Sequence, residues 1–226
     1  MTAILQILVS PRPRAFSRQV ARDIVARIAA WHPGAQIIER DLAANPPPHP
    51  DLDLYEAILS PTPDSDPRFA LSERLIAELE AADFVVIGTP MNNFTVPSTL
   101  KAWIDHIVRI RRTFHSSAEG KIGMLRDRPL IVVSAHGGYC GDSPPGQPDF
   151  LTPYLRAIFA TIGIETVDFV RLEGLSRGPD AVARSLDQAR GWIEQDLPKL
   201  LGRTPSPAYR KFTGYLRRSV SDDLDP

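Results

Sequence analysis

Three short stretches of the chain combine hydroxyl, amide, thioether and glycine residues in ways that suit a ligand. The first is Ser10-Pro11-Arg12-Pro13-Arg14-Ala15-Phe16-Ser17, where an apolar run gives way to a helical pattern. A phosphate there would meet free backbone N–H groups at a helix start, a favourable dipole and the hydroxyls of Ser10 and Ser17. The loop carries neither GxxxxGK[ST] nor GxGxxG, so a terminal monophosphate fits it better than a nucleotide triphosphate or a tightly held dinucleotide. The plainer reading is that Ser17 is an N-cap. The second stretch, Gly88-Thr89-Pro90-Met91-Asn92-Asn93-Phe94-Thr95-Val96-Pro97, follows a run of apolar residues. Met91 and Phe94 can pack on a flat ring, while Asn92, Asn93 and their backbone supply polar contacts at its edge. Alternatively the asparagines are turn residues and Phe94 a core anchor. The third is Ser134-Ala135-His136-Gly137-Gly138-Tyr139, whose paired glycines let backbone N–H groups come close to a ligand. His136 is a candidate acid or base, although a lone loop histidine is more often structural.

The elements that must position these loops are legible in the hydrophobic pattern. Ile4–Val9, Gln36–Glu39, Phe84–Gly88, Leu130–Ser134 and Thr166–Val170 read as short strands. Helical spacing follows in Val20, Ile24, Val25 and Ile28, in Leu71, Leu75, Ile76 and Leu79, and after Pro97 in Leu100, Trp103, Ile104 and Ile107. Leu155 to Ile162 predicts a helix ending at Gly163, and Pro179 to Leu201 a last one. The proline-rich segment from Leu42 to Phe69 predicts a mostly irregular excursion. Apolar strands alternating with helices indicate an α/β fold with a parallel sheet covered on both faces. Five such units are the number of the doubly wound, flavodoxin-like order 2-1-3-4-5, in which ligands bind outside the carboxyl ends of the strands. The three loops follow the first, third and fourth strands.

Composition narrows the classes further. The hydrophobic content of 43% is that of a globular protein, and the formal net charge of -1 gives no electrostatic case for nucleic acid or an anionic membrane. No apolar run is long enough to span a bilayer, and no signal peptide is expected. The single cysteine, Cys140, excludes a disulfide framework within the chain and suits a reducing cytoplasm. Cys140 reads either as a nucleophile or redox-sensing thiol, or as an incidental thiol with no patterned partner. His32, His49, His106, His115 and His136 show no metal-ligand spacing. Residues 1–202 are expected to form the domain. Residues 203–226 form an extension in which Tyr209, Phe212, Leu216 and Val220 could line a basic helix, either docking on a partner subunit or staying loosely ordered.

Across roughly residues 3 to 200 the chain resembles the FMN-dependent NADH azoreductases, relatives of the NAD(P)H:quinone oxidoreductases. Ser10 with the loop ending at Ser17, Arg40-Asp41-Leu42-Ala43-Ala44-Asn45-Pro46, Pro90-Met91-Asn92-Asn93-Phe94 and His136-Gly137-Gly138 carry the likeness. Leu151-Thr152-Pro153-Tyr154-Leu155, Ile162-Gly163-Ile164, Glu173-Gly174 and Gly178-Pro179 add to it. The resemblance implies that Ser10, Ala15, Phe16 and Ser17 bind the FMN phosphate. Met91, Asn92, Asn93 and Phe94 would hold the isoalloxazine, with a backbone N–H near Asn93 facing flavin N5. Ala135, His136, Gly137 and Gly138 would take the pyrimidine edge. It further implies a homodimer with active sites at the interface, NADH or NADPH as donor, and ping-pong hydride transfer through N5 to quinone, azo or nitroaromatic oxidants.

The sequence departs from that family in places. Asn92 stands where the family motif has tyrosine, Ala15 where it often has serine, and the 139–148 insertion and the tail are not typical. These departures bear on the oxidant rather than on FMN. No catalytic side chain is required, because the flavin supplies the reactivity and the protein position and electrostatics. An electron-carrying flavodoxin would present a strongly acidic face, which a net charge of -1 does not support. A flavin-free hydrolase would need a GxSxG elbow or a paired nucleophile and base, which the sequence does not display.

Overall fold

In a computed structural model the residues described are 1–118, 120–141 and 146–202. In chain order the elements are β1 (Ala3–Leu8), α1 (Phe16–Trp31), β2 (Gln36–Asp41), α2 (Leu52–Leu59), α3 (Ala70–Ala81), β3 (Phe84–Pro90) and α4 (Ser98–Ile107). There follow β4 (Phe114–Ser117), β5 (Gly120–Gly123), β6 (Leu130–Ala135), β7 (Tyr139–Cys140), β8 (Gly146–Gln147), α5 (Leu151–Thr161), β9 (Val167–Leu172), α6 (Pro179–Gln195) and α7 (Leu197–Leu201). The central sheet is parallel, five-stranded and ordered β2-β1-β3-β6-β9. Those are the five strands expected from sequence, in the expected doubly wound order.

Alternation along the central strands β1, β3 and β6 explains why their runs are almost wholly apolar. Leu5, Ile7, Val85, Ile87, Leu130 and Val132 face a core closed by residues of α3, α4 and α5, such as Leu79, Trp103 and Phe159. Ile4, Leu8, Val86, Ile131 and Val133 face a second core closed by α1 and α6, with Ile24, Ile28 and Ala189. A strand buried on both faces has no side on which to place polar residues.

Three local features depart from the sequence expectation. The proline-rich excursion contains α2, because Asp51 caps it by accepting a hydrogen bond from the Leu54 N–H at 2.9 Å, and Leu54 and Ala57 pack against Phe69. A short antiparallel pair, β4–β5, precedes β6. The last helix also divides at Asp196, where Pro198 follows in the first turn of α7 and has no N–H to continue the ladder. The extension 203–226, with both readings of it, lies outside the described residues.

Candidate active site

The carboxyl ends of β1, β3 and β6 are adjacent in the sheet, so their three loops open at one edge. The first loop is held from beneath by Arg18. Its guanidinium donates to the Ser10 carbonyl at 2.7 Å and to both carboxylate oxygens of Asp41 at 2.7 and 2.8 Å. Asp41 in turn accepts from the Ala43 and Ala44 N–H groups. The hydrogen bond from Arg18 holds the Asp41 carboxyl below its ordinary range, against the opposing effect of burial. This ties the end of β2, in the Arg40–Pro46 stretch, to the loop after β1.

Ser17 is not the cap of α1. Ala15 occupies that position with extended backbone and no side-chain bond, and Ser17 is the second helical residue. Its side chain is fully buried, yet Oγ has no hydrogen-bond partner. The backbone N–H groups of Phe16 and Ser17 are likewise taken up by no acceptor among the described residues. A buried hydroxyl without a partner costs about 1–3 kcal/mol unless something fills the vacancy in its bonding. Gly88 lets α1 approach this closely, since a Cβ there would lie 2.6 Å from the Ser17 carbonyl oxygen.

The second loop forms a tight hairpin. Asn92 and Thr95 exchange N–H···O bonds of 2.9 and 3.0 Å, and the two residues between them, Asn93 and Phe94, have φ of 47° and 67°. Positive φ at both central positions is the type I′ arrangement, which favours Asn-Gly. Asn tolerates its place, whereas an aromatic residue in the left-handed region is strained. The turn leaves the Asn93 N–H without an internal acceptor and holds Phe94 out to solvent, 45% exposed. Phe94 is therefore no core anchor. The Phe94 carbonyl accepts from Phe150 N–H at 3.0 Å, and Met91 N–H donates to the Ala135 carbonyl at 2.8 Å, which fastens this loop to the third.

In the third loop the carbonyls of His136, Gly137 and Gly138 accept from Leu175, Ser176 and Gly174, while the Gly137 and Gly138 N–H groups are left without acceptors among the described residues. His136 is fully buried, with Nε2 2.8 Å from Ser134 Oγ and Nδ1 3.2 Å from Cys140 Sγ. Burial lowers the imidazole pKa to about 4, and burial raises that of the Cys140 thiol, so the pair is neutral at physiological pH. The sequence pattern showed no partner for either residue, and here the structure corrects it: the turn after β6 brings residues four apart into contact. An i,i+4 Cys/His spacing was the available signal. Gln147 was also missed; its amide nitrogen lies 3.4 Å from Met91 Sδ and 3.9 Å from Cys140 Sγ. Tyr139 packs over Gly174, whose φ of 71° and lack of a side chain make room for the ring.

The sequence-predicted residues Ser10, Ala15 to Ser17, Met91 to Phe94 and Ala135 to Gly138 thus line one end of the sheet. Ser10 itself is buried, its Oγ accepting from the Arg12 N–H at 3.3 Å. Among the described residues no group of three or more His, Cys, Asp and Glu side chains is arranged to hold a metal. Nor is any helix among them long and apolar enough to cross a membrane.

Residues 2–197 match the family model described as flavodoxin-like fold. An FMN-dependent NADH:quinone oxidoreductase 2 of Cupriavidus pinatubonensis is 48% identical over 197 residues, covering 85% of this chain and 96% of its own length. An FMN-dependent NADH:quinone oxidoreductase 4 of Pseudomonas fluorescens is 45% identical over 191 residues, covering 84% and 93%. Among solved structures, an FMN-dependent NADH-azoreductase of Bacillus anthracis in complex with FMN is 25% identical, with a TM-score of 0.75 over 88% of this chain and 99% of that one.

Proposed function

The chain belongs to the flavodoxin-like family, and from that premise we propose that it is an FMN-dependent NADH:quinone oxidoreductase with its active site at the carboxyl ends of β1, β3 and β6. The observation that supports this reading is the buried Ser17 Oγ, without a partner among the described residues, beside two helix N–H groups that are likewise free, an arrangement that suits a bound anion. The relatives' names supply the cofactor, and the residues present fit it.

Bound here, FMN would supply two-electron chemistry through N5 between NADH or NADPH and a quinone or azo oxidant, in two half-reactions. The chain's own residues do the rest. Phe16 and Ser17 N–H with Ser17 Oγ hold the phosphate, on a loop fixed by the Arg18–Asp41 pair. Met91 and the Asn93–Phe94 turn support the ring, the Asn93 N–H serving as a fixed donor at its edge. Gly137 and Gly138 N–H groups would stabilise negative charge on the ring by preorganised dipoles. His136 donates no proton near neutral pH, because burial keeps it unprotonated down to about 4. The exposed Phe94 and Phe150 at the rim favour a homodimer in which a second copy completes the site. A cytoplasmic setting agrees with a lone thiol kept reduced.

The Cys140–His136 contact is the one feature that speaks for a thiol hydrolase, but a neutral pair with a fully buried imidazole lacks the thiolate such chemistry needs. Anaerobic mixing of the FMN-loaded protein with NADH tests the proposal. Rapid bleaching of the flavin, and reoxidation by a benzoquinone, are expected. A protein that takes up no FMN, or whose flavin NADH leaves oxidised, would falsify it.

A further inference from the structure

We propose that Cys140, His136 and Met91 form a binding site for a soft monovalent metal ion, copper(I) or silver(I). The observation is a convergence of one nitrogen and two sulfurs from three segments. Cys140 Sγ lies 3.2 Å from His136 Nδ1, and the Gln147 amide nitrogen lies 3.4 Å from Met91 Sδ and 3.9 Å from Cys140 Sγ. A single amide nitrogen therefore sits against both sulfurs, one of which also touches the imidazole. The other ring nitrogen, Nε2, is 2.8 Å from Ser134 Oγ. Such a bond fixes the ring and leaves Nδ1 to the ligand, as outer partners do for metal-binding histidines. His136 cannot turn away, since it is fully buried. Cys140 and Met91 are only partly buried, so an ion has a path in from solvent.

The donor set selects the ion. Thiolate and thioether sulfur favour copper(I), whereas zinc takes four ligands and calcium or magnesium take oxygens. With two soft sulfur donors, one of them a thioether, and an imidazole, the site suits a closed-shell monovalent ion better than zinc. Asp149, Glu173 and Arg171 supply the nearest charges felt by the pair. Binding exchanges a proton for the metal: the S–H bond of Cys140 breaks, an S–metal bond forms, and the proton goes to solvent. The metal keeps its oxidation state, and the neutral imidazole releases nothing. Cys140 and Gln147 are register partners in the short parallel pair β7–β8. The inference does not depend on FMN.

Silver nitrate is the probe, added to the full-length protein with and without FMN and dialysed against excess glutathione. The wild type is expected to retain one silver ion per chain and to release one proton per ion, read with a pH indicator dye. Because Cys140 is the chain's only cysteine, Cys140→Ser removes every thiol and should abolish retention. Met91→Leu and His136→Gln should each weaken retention about tenfold or more, with folding checked by circular dichroism. If His136→Gln does not fold, Met91→Leu and the proton count still decide. Wild-type protein that yields its silver to glutathione would overturn the proposal, as would a Met91→Leu variant that retains silver as well as wild type, since Cys140 would then be acting as an ordinary thiol.

Discussion

At the β1 end of the cleft, Ser17 Oγ and two helix N–H groups are left without partners among the described residues, whereas at the β6 end both ring nitrogens of His136 are hydrogen-bonded to the chain. Four buried side-chain atoms among the described residues lack a partner, and of these only Ser17 Oγ lies at the cleft, in the first turn of α1. The β1 end keeps donors open and positively polarised for an anion. The β6 end satisfies its side chains internally and offers only backbone N–H groups. A charged phosphate repays open, unsatisfied donors, while an uncharged ring needs shape and a few fixed dipoles. The difference teaches that the two ends should fail differently when altered.

The largest effect is expected where both ends depend on one close approach. Gly88→Val places a Cβ 2.6 Å from the Ser17 carbonyl and must push α1 away from β3. Overpacking of this kind costs about 1–3 kcal/mol, and because it displaces the phosphate-binding turn, FMN affinity should fall on the order of a hundredfold or more. Flavin fluorescence titration and urea denaturation check the two parts. A variant that keeps wild-type FMN affinity would show that the turn need not touch the strand.

The β6 end should reveal itself through pH. In the unfolded chain His136 takes up a proton near pH 6.5, but the folded protein refuses it until about 4. Between those values the unfolded state binds more protons, so stability falls as pH drops through the window and is unaffected above it. The slope reaches about 1.4 kcal/mol per pH unit, or up to about 3 kcal/mol in all. His136→Gln should flatten this dependence in chemical denaturation measured from pH 7 to 4. An unchanged slope would place the acid sensitivity elsewhere.

Ser17→Ala separates the ends most cleanly. The hydroxyl makes no bond within the protein, so its removal should leave the flavin-free protein as stable as before, or slightly more so. FMN affinity should nevertheless fall about tenfold, the worth of a hydrogen bond to a charged group. Riboflavin, which lacks the phosphate, should bind both proteins equally. Loss of flavin-free stability instead would mean that Ser17 is structural.

How much of this was legible follows from which interactions are local. The strands announce themselves because burial on both faces leaves no room for polar residues, as in Val85-Val86-Ile87, whereas their order is not encoded in any one strand and followed from the doubly wound pattern of five such units. The loops were found by their position after those strands. The proline-rich stretch hid α2, since a composition count overlooks one capping residue, Asp51. The contact of His136 with Cys140, and the reach of Gln147 to Met91, were not visible. They depend on how the chain after β6 folds back, which no periodicity encodes. The absence of any bond to Ser17 Oγ is likewise a property of packing, and no residue type announces it.

Phe94→Gly tests the smallest difference, the strain in the β3 turn. Phe94 sits at φ 67° with its ring 45% exposed, so the residue gives the folded monomer little burial in return for an unfavourable backbone. Glycine accepts that conformation freely and completes the Asn-Gly pair that a type I′ turn prefers. Against this, glycine gives the unfolded chain more freedom, which offsets part of the gain. The net expectation is a monomer stabilised by up to about 1 kcal/mol. If the ring is kept at that position to cover the cofactor or to meet a second copy, the same change should lower turnover with a quinone several-fold, or shift the dimer toward monomer in light scattering. A variant that gains stability and loses neither activity nor assembly would mean that the strain serves no function. One that loses stability would mean that Phe94 packs within its own chain after all.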